Sequence, residues 1–143
     1  MKKYKFLLLL ALSTLLSPIN SYGFETISFQ QKEITINHQI NITDNEIFVP
    51  ILLLADIFNF NVTHQDKIDG YEFILDNNHI QITHQSNEIW INGNTNYLNT
   101  PTYFNKGKLY IPLTDFLFIT GYKKEEKEKK IKIKKDKKIN FKK

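Results

Sequence analysis

Apolar and polar positions alternate along much of this chain with a period of two, and twice the alternation gives way to a compact apolar run. Ile47-Phe48-Val49-Pro50-Ile51 and Leu109-Tyr110-Ile111-Pro112-Leu113 each read as a strand that reaches a proline and turns into a short buried helix. Proline suits the first helical position, where its missing N–H costs nothing and its φ is already set. The spacing predicts a first helix over about 50–58, with Ile51, Leu54, Ala55 and Phe58 sharing a face. The matching positions of the second helix are Leu113, Phe116, Leu117 and Thr120. Asn59 and Gly121 then fall at equivalent places, and both residue types tolerate a left-handed cap. Helices this short do not stand alone in water, so each must pack on a sheet.

The alternating stretches supply the sheets. Ile34-Thr35-Ile36 and Ile40-Asn41-Ile42 flank Asn37-His38-Gln39 and predict a hairpin. Ile89-Trp90-Ile91 and Thr95 to Leu98 flank Asn92-Gly93-Asn94, a stronger hairpin signal because Asn-Gly accepts positive φ at both central positions. Further strands are predicted at Phe60–Thr63, Tyr71–Leu75, Ile80–Thr83 and Ile131–Ile133, with polar turns at 65–70 and 123–130. The two prolines lie 62 positions apart, the two hairpins 55 and the last strands about 58. This drift predicts an old duplication with an insertion near 99–105 and a shortening after the second helix. The expected fold is α+β: a duplicated unit of short antiparallel β-strands with one short helix per repeat, packed as one domain. Repeat one spans about 30–76 and repeat two about 79–135, followed by a basic tail to 143.

The first 23 residues change how the rest is read. Lys2, Lys3 and Lys5 precede the apolar run Phe6–Leu16, and Ser21 and Gly23 place small residues before a cleavage point. This is the pattern of a secretory signal peptide, and the run is short for a membrane span. It predicts an extracytoplasmic protein, secreted or attached to the cell surface, with residues 24–143 as the mature chain. There is no cysteine, so neither a disulfide nor a lipidated cysteine is available. Charge is polarised: residues 24–122 carry 4 Lys against 11 Asp and Glu, whereas residues 123–143 carry 12 Lys against 4. All 19 basic residues are lysine, which forfeits the bidentate guanidinium fork for phosphate.

Together these residues resemble a known family. The features that carry the resemblance are Ile89 to Asn94, Leu109 to Leu113 and Gly121, with Ile34 to Gln39, Ile47 to Ile51 and Asn59 in the first copy. Strand, hairpin, strand, proline and short helix, twice over, resemble the stalk domain, also called the copper amine oxidase N-terminal-like domain, over about 30–135. The resemblance implies an extracytoplasmic domain of sheets wrapped on helices, of the kind found in envelope proteins of Gram-positive-type bacteria. It implies no activity, because the oxidase chemistry belongs to a separate domain with a modified tyrosine and three copper histidines. One departure stands out. Leu52 and Phe118 occupy outward helix positions that the family usually fills with charged or small residues. They are candidates for a partner contact, or for packing between the two helices.

Little else in the sequence carries chemistry. His38, His64, His79 and His84 are scattered, and no metal or cofactor is expected. Ser86 lies two positions from His84, and Asp66, Asp69, Glu72 and Asp76 cluster around a polar turn, but neither set has the context of a catalytic site. Trp90, Tyr97 and Tyr103 are candidates for stacking on sugar rings, unless Trp90 packs under the segment 99–105. Lys134, Lys135, Lys137, Lys138, Lys142 and Lys143 are candidates for contact with an anionic surface. The expected function is a non-catalytic binding or structural module of the cell envelope. Its expected partners are an anionic wall polymer or a membrane surface. The alternative is an adaptor binding itself or another envelope protein through the apolar helix face. Nucleic acid is not an expected partner.

Overall fold

The computed structural model describes residues 23–36 and 40–136. The signal segment, the turn at 37–39 and the end of the basic tail lie outside the described residues. Thirteen strands and two α-helices are described: β1 (Thr26–Phe29), β2 (Lys32–Thr35), β3 (Asn41–Thr43), β4 (Glu46–Pro50), α1 (Ile51–Phe58), β5 (Thr63–Gln65), β6 (Gly70–Leu75), β7 (Asn78–Thr83), β8 (Glu88–Ile91), β9 (Asn94–Tyr97), β10 (Tyr103–Asn105), β11 (Lys108–Pro112), α2 (Leu113–Thr120), β12 (Tyr122–Lys127) and β13 (Lys130–Lys135). They form three sheets, in the orders β12-β13-β1-β2, β10-β11-β4-β3 and β5-β6-β7-β8-β9. The architecture is α+β, as the alternation and the two apolar runs predict.

Both proline junctions form. Pro50 and Pro112 keep φ near −63° and −66° and extended ψ, each ending its strand one residue before the helix. Asn59 and Gly121 close the helices in the left-handed conformation, with φ of 60° and 88°. Leu113, Phe116, Leu117 and Thr120 are all buried, as their spacing requires. The first helix buries a wider stripe than its spacing indicates: Leu53 and Ile57 are inside along with Ile51 and Leu54. The core is one cluster of mainly aliphatic residues, with Phe73, Phe116 and Tyr122, from all three sheets and both helices. A run of aromatic contacts threads it, from Phe29 to Phe58 (4.8 Å), Phe58 to Phe60 (6.4 Å), Phe60 to Phe73 (4.3 Å) and Phe73 to Phe116 (6.1 Å). Tyr122 joins it at Phe58 (4.9 Å), and its hydroxyl donates a hydrogen bond to Asp76 in the β6–β7 turn. Burial and that bond raise the Tyr122 phenol well above its ordinary range.

The first predicted hairpin is wrong. β2 pairs with β1 (Ile34 opposite Ile27), whereas β3 pairs with β4 (Ile42 opposite Ile47) in another sheet. Ile36 stays with the first sheet: its N–H donates to the Glu25 carbonyl at 2.7 Å, and its side chain is buried. The turn that closes a hairpin here is Asp44-Asn45, with φ of 51° and 64°. Both values are positive, as a type I′ turn demands. The same signature occurs at Asn92-Gly93 (53°, 81°), where the predicted hairpin does form, and at Lys106-Gly107 (51°, 78°).

Correcting that pairing removes the drift. β1, β2, β3, β4 and α1 start at 26, 32, 41, 46 and 51; β8, β9, β10, β11 and α2 start at 88, 94, 103, 108 and 113. Every displacement is 62 positions, so segment 99–105 is no insertion. After the helices the second hairpin turn is shorter, two residues between β12 and β13 against four between β5 and β6. β7 has no counterpart in the described first half. In the central sheet β4 and β11 run antiparallel, with Tyr110 opposite Pro50, Ile111 opposite Val49 and Pro112 opposite Phe48. Shifting either strand by 62 reproduces the same pairs, so this register has two-fold symmetry. One strand pair departs from the antiparallel expectation: β1 and β13 run parallel, joining the two ends of the described chain.

Candidate functional site

A carboxylate that the sequence reading missed holds the segment after β9. Asp115 sits in the first turn of α2, where exposed N–H groups favour negative charge. It is largely buried and accepts hydrogen bonds from the Asn99 N–H (2.9 Å), the Asn99 Nδ2 (2.9 Å) and the Thr100 N–H (3.3 Å). Thr102, also buried, donates from Oγ1 to the Thr83 carbonyl at 2.6 Å, pinning the same segment to the end of β7. Every visible bond of this cluster serves architecture.

Glu46 lies within its field. Its carboxyl is pushed above the ordinary 4.5 mainly by burial and then by Asp115, with partial relief from the Thr114 N–H and Lys124. One of its oxygens, Oε1, is buried without a hydrogen-bond partner. A raised folded value means the native state holds this proton more tightly than the unfolded chain does. The contribution is therefore present below about pH 4.5 and is lost as pH rises through the folded value. Glu46→Gln is expected to stabilise the protein at pH 7 by on the order of 1 kcal/mol, with the gain shrinking toward pH 4. Urea unfolding at the two pH values checks this.

The histidines and acids of the third sheet pair off separately. His64 Nδ1 lies 3.1 Å from Asp66, His79 Nε2 3.0 Å from Glu72 and His84 Nε2 3.3 Å from Asp69. Asp76 faces Tyr122 and Lys135 instead. Ser86 Oγ accepts from the Glu88 N–H at 3.0 Å and is turned to the backbone, away from any role with His84. An open groove of about 540 Å³ is lined by Asn59, Phe60, Asn61, Thr63, Glu72 and His79 among others. Its Glu–His pair has no serine, cysteine or lysine beside it in the lining. Among the described residues, no three of His, Asp and Glu gather as metal ligands, and no helix is long and apolar enough to cross a membrane.

Three surfaces remain. On the third sheet Ile89 and Ile91 point into the core, so Trp90 points out, opposite Gln81 and Thr95. Tyr97 shares that face two residues beyond Thr95 and is well exposed. Tyr103 does not join them. It lies on β10 of the central sheet, stacked on Tyr110 at 5.1 Å, and its hydroxyl accepts from Asn41 Nδ2 at 2.7 Å. A platform of all three aromatics is therefore not formed. The second surface is on the helices, where Leu52 and Phe118 are 60% and 67% exposed. They are not covered by packing between α1 and α2. The third is the outer face of the first sheet, where β12 and β13 bring lysines together. Lys134 belongs to it, whereas Lys135 turns toward Asp76 at 3.7 Å. Lys137, Lys138, Lys142 and Lys143 lie outside the described residues.

A family profile described as "Copper amine oxidase N-terminal domain" matches residues 28–135, from β1 to the end of β13. The chain belongs to this family. The matched family domain is the non-catalytic N-terminal region of those oxidases. No curated protein and no solved structure matched.

Proposed function

We propose that this copper amine oxidase N-terminal-like chain is a secreted, non-catalytic binding module of the bacterial cell envelope. The observation that carries the reading is the family match, which runs across all three sheets and both helices. The polar, charged surfaces and the signal-like segment at residues 1–23 support it. Fractionating cells that produce the full chain tests it, with detection by antibody and N-terminal sequencing. The protein is expected outside the cytoplasm with its N-terminus trimmed near Phe24. Retention of the intact chain in the cytoplasm would overturn the reading. We further infer that residues 26–58 and 88–120 descend from a duplication, because five consecutive elements recur at one spacing.

The exposure of Leu52 and Phe118 supports a second reading, an adaptor that binds another copy of itself or an envelope partner through this helix face. If the partner is another copy, the wild type elutes as a dimer at micromolar concentration and Leu52→Asp shifts it to monomer. A monomer for both proteins would rule out self-association.

A further inference from the structure

We propose that the outer face of the first sheet is the ligand-binding surface, and that its ligand is a linear polymer of repeating anionic groups. The inference deepens the envelope reading and rests on it for the class of ligand. In β13, Ile131 and Ile133 point into the core, so Lys130, Lys132 and Lys134 point outward. Their antiparallel partners on β12 are Lys127, Glu125 and Lys123. The result is a two-by-three lattice with five lysines, spaced about 6.7 Å along a strand and about 4.8 Å across. β1 and β2 extend the face with Thr26, Ser28, Glu33 and Thr35.

Two acids share this face. Glu125 pairs with Lys134 at 2.8 Å, and Glu33 lies 3.9 Å from Lys130. Lys123, Lys127 and Lys132 have no ion-pair partner among the described residues. Glu125 is held below its ordinary value, first by the Lys134 hydrogen bond and then by the charges of Lys134, Lys123 and Lys132. The face therefore has a surplus of three positive charges, fixed by hydrogen-bonded strands. Sixty-two positions beyond Thr26, Ser28, Glu33 and Thr35 lie Glu88, Trp90, Thr95 and Tyr97 of the third sheet, none of them lysine.

The composition of the face selects among anionic partners. A membrane-binding face normally adds apolar or aromatic side chains that enter the interface. The four large exposed hydrophobics, Leu52, Ile74, Tyr97 and Phe118, all lie elsewhere. Single-stranded nucleic acid is held by aromatic stacking beside basic residues, and this face has no aromatic ring. Lysine acts as a point charge and asks only for periodic negative charge, which a phosphate- or carboxylate-bearing chain supplies.

Long-chain inorganic polyphosphate is the test probe, titrated into the purified full chain by calorimetry between 50 and 200 mM salt. The triple variant Lys127→Gln/Lys130→Gln/Lys132→Gln is expected to lose about 2 to 3 from the slope of log K against log salt. Across that salt range the wild type then loses roughly 15- to 60-fold more affinity than the variant. Glu125→Gln, which removes a competing acid, is expected to tighten binding, and it keeps the test open if the triple variant folds poorly. Deleting residues 137–143 is expected to leave the Glu125→Gln effect in place. The proposal is overturned if neither set of face variants changes binding, if the tail deletion alone abolishes it, or if phosphatidylglycerol vesicles bind as tightly per phosphate as the polymer. These results come from purified protein, so they are independent of where the cell sends the chain.

Discussion

Truncating Phe116 to alanine is expected to cost about 3–5 kcal/mol of folding stability. Phe116 is fully buried in α2 and closes the aromatic run through Phe73 that ties the helix to the third sheet. Its removal forfeits the transfer energy of a whole ring and leaves a cavity among groups already fixed by three sheets. Two positions along the same helix, Phe118 is 67% exposed and belongs to no core contact. Phe118→Ala is therefore expected to change stability by less than about 0.5 kcal/mol. The two variants delete the same atoms, so the contrast isolates burial. Urea midpoints measure it, with the slope of the transition unchanged if both variants unfold in two states. Equal losses from the two variants would contradict the assignment of inner and outer helix faces.

Asp115→Ala is expected to cost about 2–3 kcal/mol. The carboxylate accepts two backbone N–H groups and one side-chain amide from residues 99 and 100. Alanine removes a charged acceptor from a part-buried site, and a hydrogen bond to a charged group contributes about 1.5–3 kcal/mol. Loss of the repulsion between Asp115 and Glu46 offsets part of this. Asp115→Asn keeps an acceptor oxygen and should recover part of the loss. The local readout is amide hydrogen exchange at Asn99 and Thr100, expected to accelerate in the alanine variant well beyond the change at Ile82 in the core. Unchanged exchange at those two amides would show that Asp115 does not hold the segment.

Much of this fold was legible because the strongest local signals agree with tertiary packing. Proline after a strand, the i, i+3, i+4, i+7 spacing of Leu113, Phe116, Leu117 and Thr120, and Asn or Gly as a left-handed cap each act within one element. The Asn37–Gln39 hairpin failed because two alternating runs around a polar turn do not say whether the runs belong to one sheet. Asp44-Asn45, five residues farther on, was the better turn, and recognising it would have exposed the uniform spacing of 62. The parallel pairing of β1 with β13 joins residues about a hundred positions apart, which no local pattern encodes. Asp115 was visible as an acid in a first helical turn, but its target loop lies 16 positions upstream. The lysine lattice was hidden by composition. Residues 123–130 read as a polar turn, whereas Tyr122 to Lys127 is a strand whose register against β13 gathers the charges on one face.

We propose that this chain binds envelope material and does not turn it over. Cosedimentation of the purified full chain with isolated bacterial cell walls, across a salt series, tests this. The predicted result is saturable binding at low salt that is released as salt rises, with the wall unaltered. A protein that stays in the supernatant even at the lowest salt would contradict the claim.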